Sequence, residues 1–253
     1  MQLLTTDIRV YIYVATHSNI LYAGGGSTLV YAQNMMAGLH AIITHMKIHF
    51  GLEKVRLLDV PCGDMQWMSY FLGTRDDVIY TGIDIVPDLI EHHRKTYAGR
   101  PWTFRNTDIV TDSTFVNDFD LILSRMMMQH LDHAAIFTIL KKLSHKTRQP
   151  SFLLATTFNS APSNVDLRPN LRGRFRTVNL ELAPFRLEPP LCLFLDGPNY
   201  RLLHYMGLWR LPLMTIPQTN CDQSKPAKFS TQLNAAKFYS CISWKLPDIS
   251  RNI

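Results

Sequence analysis

The sequence predicts an α/β chain of three layers, with helices over both faces of a doubly wound, mostly parallel sheet. Two observations carry this. Between Val55 and Phe158, short apolar runs rich in β-branched residues alternate with longer mixed segments, the pattern of parallel strands joined by crossover helices. The acids Asp59, Asp84 and Asp108 fall at or just beyond the ends of the first three runs, where open sheets of this kind hold their ligands.

The strands are expected at "VRLLDV" (55–60), "VIYTGID" (78–84), "WTFRN" (102–106), "DLILS" (120–124) and "FLLATTF" (152–158). Between them, "DLIEHHRKTY" (88–97) turns Leu89, Ile90 and Tyr97 inward and leaves Glu91, His92, Arg94 and Lys95 wet, which is helical spacing. In "HAAIFTILKKLS" (133–144), Ile136, Phe137, Leu140 and Leu143 form the apolar stripe, and lysines close the helix where its dipole favours cations. Upstream, residues 27–50 begin with Ser and Thr and continue into a long apolar-rich body, so a helix is expected before the first strand. Downstream, residues 170–190 are rich in Pro and Arg and read as cover, followed by "LCLFL" (191–195) and "RLLHYMGLWRL" (201–211) around "DGPN", an antiparallel hairpin at the sheet edge.

One domain is expected over residues 1–213: an N-terminal helix and glycine loop (1–54), a cofactor-binding core (55–158), and a cover loop with edge hairpin (159–213). Residues 214–253 are polar, broken by prolines and weakly periodic, a tail expected to be loosely packed or disordered.

Composition narrows the class. With 253 residues, 46% of them hydrophobic, the chain can bury a full core. The formal charge of +6 permits attraction to anions without demanding it. Four scattered cysteines, Cys62, Cys192, Cys221 and Cys241, form neither a zinc pattern nor a disulfide framework and fit a reducing compartment. The apolar run at 8–15 is far shorter than the roughly 20 residues of a membrane span. A soluble, cytoplasmic protein is the expectation, with no metal site.

The chemistry centres on "LLDVPCGDMQWM" (57–68). Gly63 removes a Cβ so that backbone can approach a ligand, and the following helix is expected to start near Asp64, which can cap it. Asp84, ending the second strand, offers two oxygens to the two hydroxyls of a ribose. Asp108 in the "NTDI" turn can accept from an exocyclic amine, while Ile85 and Ile109 supply flat apolar contact for a purine. A pyrophosphate-binding turn would read G-x-G-x-x-G, but Pro61, Gly63 and Gln66 stand at those positions. The set implies a nucleoside bearing an amino acid end.

The run resembles motif I of class I S-adenosylmethionine-dependent methyltransferases, and more narrowly a branch that carries "PCGD" followed by Trp and Met. The resemblance continues through "YTGIDIVPDLIE" (80–91), "DLILSRMMMQHL" (120–131), "FLLATTF", "GRFRTVNLELAPF" (173–185) and "MGLWRL" (206–211), with an upstream "YAGGGST" (22–28). It implies a Rossmann-like methyltransferase fold with a seven-stranded sheet and an antiparallel last strand, and S-adenosylmethionine as cofactor. It places Asp59, Gly63 and Trp67 on the methionine side, Asp84 and Ile85 at the ribose, Asp108 and Ile109 at the adenine, and Arg125 where cofactor and acceptor meet. It also hints that Gly25 and Gly26 form a lid. Pro61 and Met65 depart from the glycines of the wider superfamily.

Other readings stay open at several positions. Trp67 suits the core as well as a ligand. In "MMMQHLDH" (126–133), His130 and Asp132 are candidates for taking a proton from a hydroxyl acceptor, against a helix cap with a packed histidine. Arg172, Arg174 and Arg176, with Arg168, form a solvated loop or recognise an anionic acceptor. The acceptor itself, a small or glycan-like molecule, has no residue to identify it, and no nucleic-acid signature is present. A catalytically silent cofactor-binding protein and a nicotinamide-dependent oxidoreductase are the rival functions.

Overall fold

Seven strands form one sheet in the order β5-β4-β3-β6-β7-β9-β8, and the chain visits them by the expected crossovers. The computed structural model describes residues 13–14, 21–22, 27–115, 118–145, 150–167, 175–197 and 203–214. Gly25, Gly26, Arg168, Arg172, Arg174 and all of the expected tail beyond 214 lie outside them. A two-stranded pairing of β1 (Tyr13–Val14) with β2 (Leu21–Tyr22) precedes α1 (Gln33–Phe50). Then follow β3 (Val55–Asp59), α2 (Gln66–Gly73), β4 (Val78–Asp84), α3 (Pro87–Thr96), β5 (Thr103–Asn106) and β6 (Leu121–Ser124). A single 3₁₀ turn (Met128–His130) leads into α4 (His133–Ser144), β7 (Phe152–Thr157), β8 (Cys192–Leu195) and β9 (Tyr205–Arg210).

Strands β3 to β7 pair in parallel, and β9 runs antiparallel to both β7 and β8. The antiparallel last strand is therefore inserted beside β7, and β8 takes the edge.

Successive residues in each strand face opposite layers, and both faces are apolar, as a sheet covered on both sides requires. Leu57, Tyr80, Leu121, Leu123 and Leu154 share a core with α1, α2 and Ile90 of α3. Leu58, Ile83, Ile122 and Leu153 share the other with α4 and the segment Val178–Leu187. Gly38 lets α1 settle onto β8: a Cβ there would lie 2.4 Å from the Phe194 ring.

Three local differences from the sequence reading stand out. Helix α1 starts at Gln33 rather than Ser27, because the Ser27 hydroxyl donates to Asp64 Oδ2 at 2.7 Å instead of capping the helix. In α4, Ile139 is buried while Phe137 is 44% exposed, since the helix follows 3.6 residues per turn from its start at His133; Phe137 still packs against Phe185, with ring centroids 5.2 Å apart. Cys192 is disulfide-bonded although the cysteine spacing signals no framework, and Cys62 is a buried free thiol. Among the described residues, no helix is long and apolar enough to cross a membrane, and no cluster of His, Cys, Asp or Glu could hold a metal ion.

Candidate active site

Strand β3 lies between β4 on one side and β6 on the other. The chain order reverses there, so a crevice opens beyond the carboxyl ends of β3 and β6. The turn leaving β3 is pinned to both neighbours: Val60 N–H donates to Leu123 O and Cys62 N–H to Ile83 O, each at 2.9 Å. Gly82 in β4 makes this approach possible, since a Cβ there would lie 2.9 Å from Cys62 Cβ.

After the turn, Gly63 takes φ +56° and Met65 φ +61°. The first suits glycine; the second is a left-handed conformation that L side chains rarely adopt. Burial offsets the strain at Met65, which is 1% exposed and whose thioether accepts from Tyr80 Oη at 3.0 Å. The position departs from glycine in side chain but keeps glycine's backbone conformation.

A cleft opens beside this turn, lined in part by Asp84, Ile85, Asp108 and Ile109. All four residues expected there from sequence share it, with Val60, Pro61, Met127, Leu131 and Ile139 completing the walls. The Asp84 carboxylate accepts from Gly63 N–H at 3.2 Å and Val86 N–H at 3.1 Å. Burial pushes its carboxyl upward despite these donors. Asp108 forms an Asx turn, accepting from Val110 N–H at 2.9 Å and the Thr111 hydroxyl at 3.0 Å. Lys142 of α4 steadies this wall by donating to Ile109 O and Val110 O at 2.9 and 2.8 Å.

The residues expected at the amino acid end lie across the turn and do not line that cleft. Asp59 is 2% exposed and accepts from Tyr80 Oη at 3.0 Å. Burial pushes its carboxyl up to about 8, against the Tyr80 hydrogen bond and the Arg125 charge, with Asp84 adding to the rise. Arg125, after β6, lies over the Trp67 ring at 5.6 Å and makes a two-point ion pair with Asp196, Nε to Oδ2 at 2.8 Å and Nη2 to Oδ1 at 3.0 Å. His204 Nε2 stands 3.5 Å from the same Asp196 oxygen. Despite complete burial, His204 and Arg125 hold the Asp196 carboxyl below its ordinary range.

The other candidates are placed differently. Asp132 caps α4, accepting from Ala135 N–H at 2.8 Å. His130 packs against Phe175, whose ring meets Phe158, which in turn meets His204, at centroid distances of 5.9, 5.7 and 5.6 Å. Arg176 turns inward, donating to Leu131 O at 2.6 Å and approaching Asp166.

Four neighbours of these residues escaped sequence reasoning: Tyr80, Asp196, His204 and His93, whose Nε2 lies 2.6 Å from Gly63 O. Only Tyr80 left a signal, since a tyrosine mid-strand in a buried sheet needs a polar partner.

Residues 57–149 match a family model described as a methyltransferase domain. Over this stretch the chain is similar to methyltransferase domains. The 1,6-didemethyltoxoflavin-N1-methyltransferase of Burkholderia thailandensis, solved with 1,6-didemethyltoxoflavin and S-adenosylhomocysteine, shares the fold. It is 19% identical with a TM-score of 0.50, covering 70% of this chain and 79% of that one. The plantazolicin methyltransferase BpumL, solved with a pentazolic desmethylPZN analog and SAH, is 20% identical with a TM-score of 0.41 over 49% of this chain. The present chain spans about half of that protein's length, 46%. No curated protein sequence matches the chain.

The acid at the end of β3 gives a direct prediction. The native state keeps Asp59 protonated up to about pH 8, whereas an unfolded Asp loses its proton near pH 4. Between those values the native state binds more protons, so stability declines as pH rises, by at most about 1.4 kcal/mol per pH unit. Asp59→Asn, still able to accept from Tyr80, should remove that decline. Urea unfolding at pH 5, 6, 7 and 8 should show the variant gaining on wild type at each step; a constant difference would refute the assignment.

Proposed function

We propose that the protein transfers the methyl group of S-adenosylmethionine to a small acceptor. The observation that carries this over a dinucleotide reading is Asp64. Its carboxylate accepts from Gln66 N–H at 3.2 Å at the start of α2. A pyrophosphate would need those N–H groups and the positive end of the helix dipole; an acid there repels it. A nucleoside without phosphates avoids that conflict and fits the cleft's composition, two acids between apolar walls.

In this reading Asp84 and Ile85 hold the ribose, Asp108 and Ile109 the adenine, and Asp59, Gly63 and Trp67 the methionine end. The bound cofactor supplies an electrophilic methyl on a good leaving group. The chain supplies orientation and exclusion of water. Arg125 keeps Trp67 in place while Asp196 neutralises it, so the junction with the acceptor side carries little net charge.

The acceptor lies against the exposed ring of Phe175, backed by the buried Phe158, which suits an apolar or planar molecule. His130 and His204 flank these rings and are the imidazoles able to take a proton from a hydroxyl acceptor. Asp132 is committed to its helix, and Arg176 contributes by holding the loop that carries Phe175. An anionic acceptor would draw instead on Arg172 and Arg174.

Calorimetry tests the cofactor assignment. S-adenosylhomocysteine should bind saturably with one site per chain, and NADH should give no heat of binding. Binding of NADH with none of S-adenosylhomocysteine would overturn the proposal.

A further inference from the structure

We infer that His93 is a positioning residue for the cofactor turn, locking the Gly63 peptide in the orientation that ligand binding requires. The inference rests on reading this turn as the methionine-side site.

His93 sits on α3 and is 1% exposed. Its Nε2 lies 2.6 Å from Gly63 O. A carbonyl oxygen only accepts, so Nε2 carries the hydrogen, and in the neutral ring Nδ1 is left with a bare lone pair. That Nδ1 is buried without a hydrogen-bond partner. Burial pushes the imidazole toward its neutral form, with nearby His92 acting in the same direction.

An unpartnered buried nitrogen costs stability. Packing alone would not choose it: the ring lies among Phe104 and Tyr97, with centroids 5.2 and 6.0 Å away, where a phenylalanine would fill the space without the orphaned atom. What a phenylalanine lacks is the donor to Gly63.

The other end of the same residue is also held. Gly63 N–H donates to Asp84 Oδ2 at 3.2 Å, so α3 grips Gly63 by its carbonyl while β4 grips it by its amide. With φ at +56°, Gly63 sits between these two anchors in a conformation that glycine reaches freely but does not keep unaided. Loss of the carbonyl anchor frees the turn to sample others, and Asp84 then loses part of its own positioning.

Two variants separate positioning from packing. His93→Phe keeps the ring volume and removes the donor; His93→Gln keeps a donor amide. Titration calorimetry with S-adenosylhomocysteine should show His93→Phe at least tenfold weaker than wild type and His93→Gln within about threefold. The thermal midpoint of His93→Phe should match or exceed that of wild type. Amide exchange at Gly63, read without ligand, should accelerate in His93→Phe and stay near wild type in His93→Gln. Wild-type affinity in His93→Phe, or equal weakening in both variants, overturns the inference alone. Failure of wild type itself to bind S-adenosylhomocysteine overturns the reading of the site and the inference with it.

Discussion

Asp84→Ala should weaken S-adenosylhomocysteine binding by two orders of magnitude or more while leaving the protein folded. The side chain is 7% exposed, ends β4, and forms part of the cleft wall. Hydrogen bonds to a charged group contribute about 1.5–3 kcal/mol each. Losing two to a ribose diol therefore costs about 3–6 kcal/mol, a factor of roughly 10² or more. A second effect adds to this, because Gly63 N–H loses its acceptor at 3.2 Å and the turn loses one of its anchors. Asp84→Asn offers one accepting oxygen instead of two and should fall between. The fold should survive, since burial already works against the Asp84 charge and removing it relieves that cost. Isothermal titration beside a thermal melt decides the matter: a folded Asp84→Ala protein with affinity within threefold of wild type would reduce Asp84 to a turn-capping acid.

The residues legible in the sequence share one property. Asp84, Ile85, Asp108 and Ile109 all stand at or just after strand ends, and a strand end can be located from a one-dimensional pattern once alternation of strand and helix is recognised. Their convergence on one cleft follows from sheet topology alone. His93, Asp196 and His204 were not legible for the converse reason. His93 lies mid-helix between wet neighbours, and its partner is a backbone carbonyl 30 residues earlier, which no side-chain pattern announces. Asp196 meets Arg125 across 71 residues, through the insertion of β9 between β7 and β8. With β9 antiparallel to both neighbours, β8 runs in the same direction as β7, so Asp196 just after β8 stands at the same end of the sheet as the carboxyl ends of β3 and β6. Asp132 was legible in its other reading: an acid before an apolar stripe is a helix cap by local chemistry, and its carboxylate accepts from Ala135 N–H.

Asp196→Ala should be among the most destabilising single changes in the chain. Asp196 is fully buried and the Arg125 side chain is 9% exposed, so deleting the carboxylate removes the two-point acceptor of a buried guanidinium beside Trp67. Breaking a buried pair from one side costs about 3–5 kcal/mol. In a chain of this size that lowers the thermal midpoint by about 10 °C. The pair itself contributes far less than this, because each ion has also been taken out of water. Arg125→Met with Asp196→Leu replaces both charges by apolar groups of similar reach and should recover most of the loss, with methionine keeping contact with the Trp67 ring. Differential scanning calorimetry of the two single variants and the double completes the cycle. A double variant no more stable than Asp196→Ala would show that the ion pair, rather than the avoidance of a lone charge, holds this corner of the sheet. Recovery of stability would leave the charges with a different purpose. His204 shares the Asp196 oxygen and adjoins Phe158, so a stable protein without the carboxylate would isolate its influence on this imidazole.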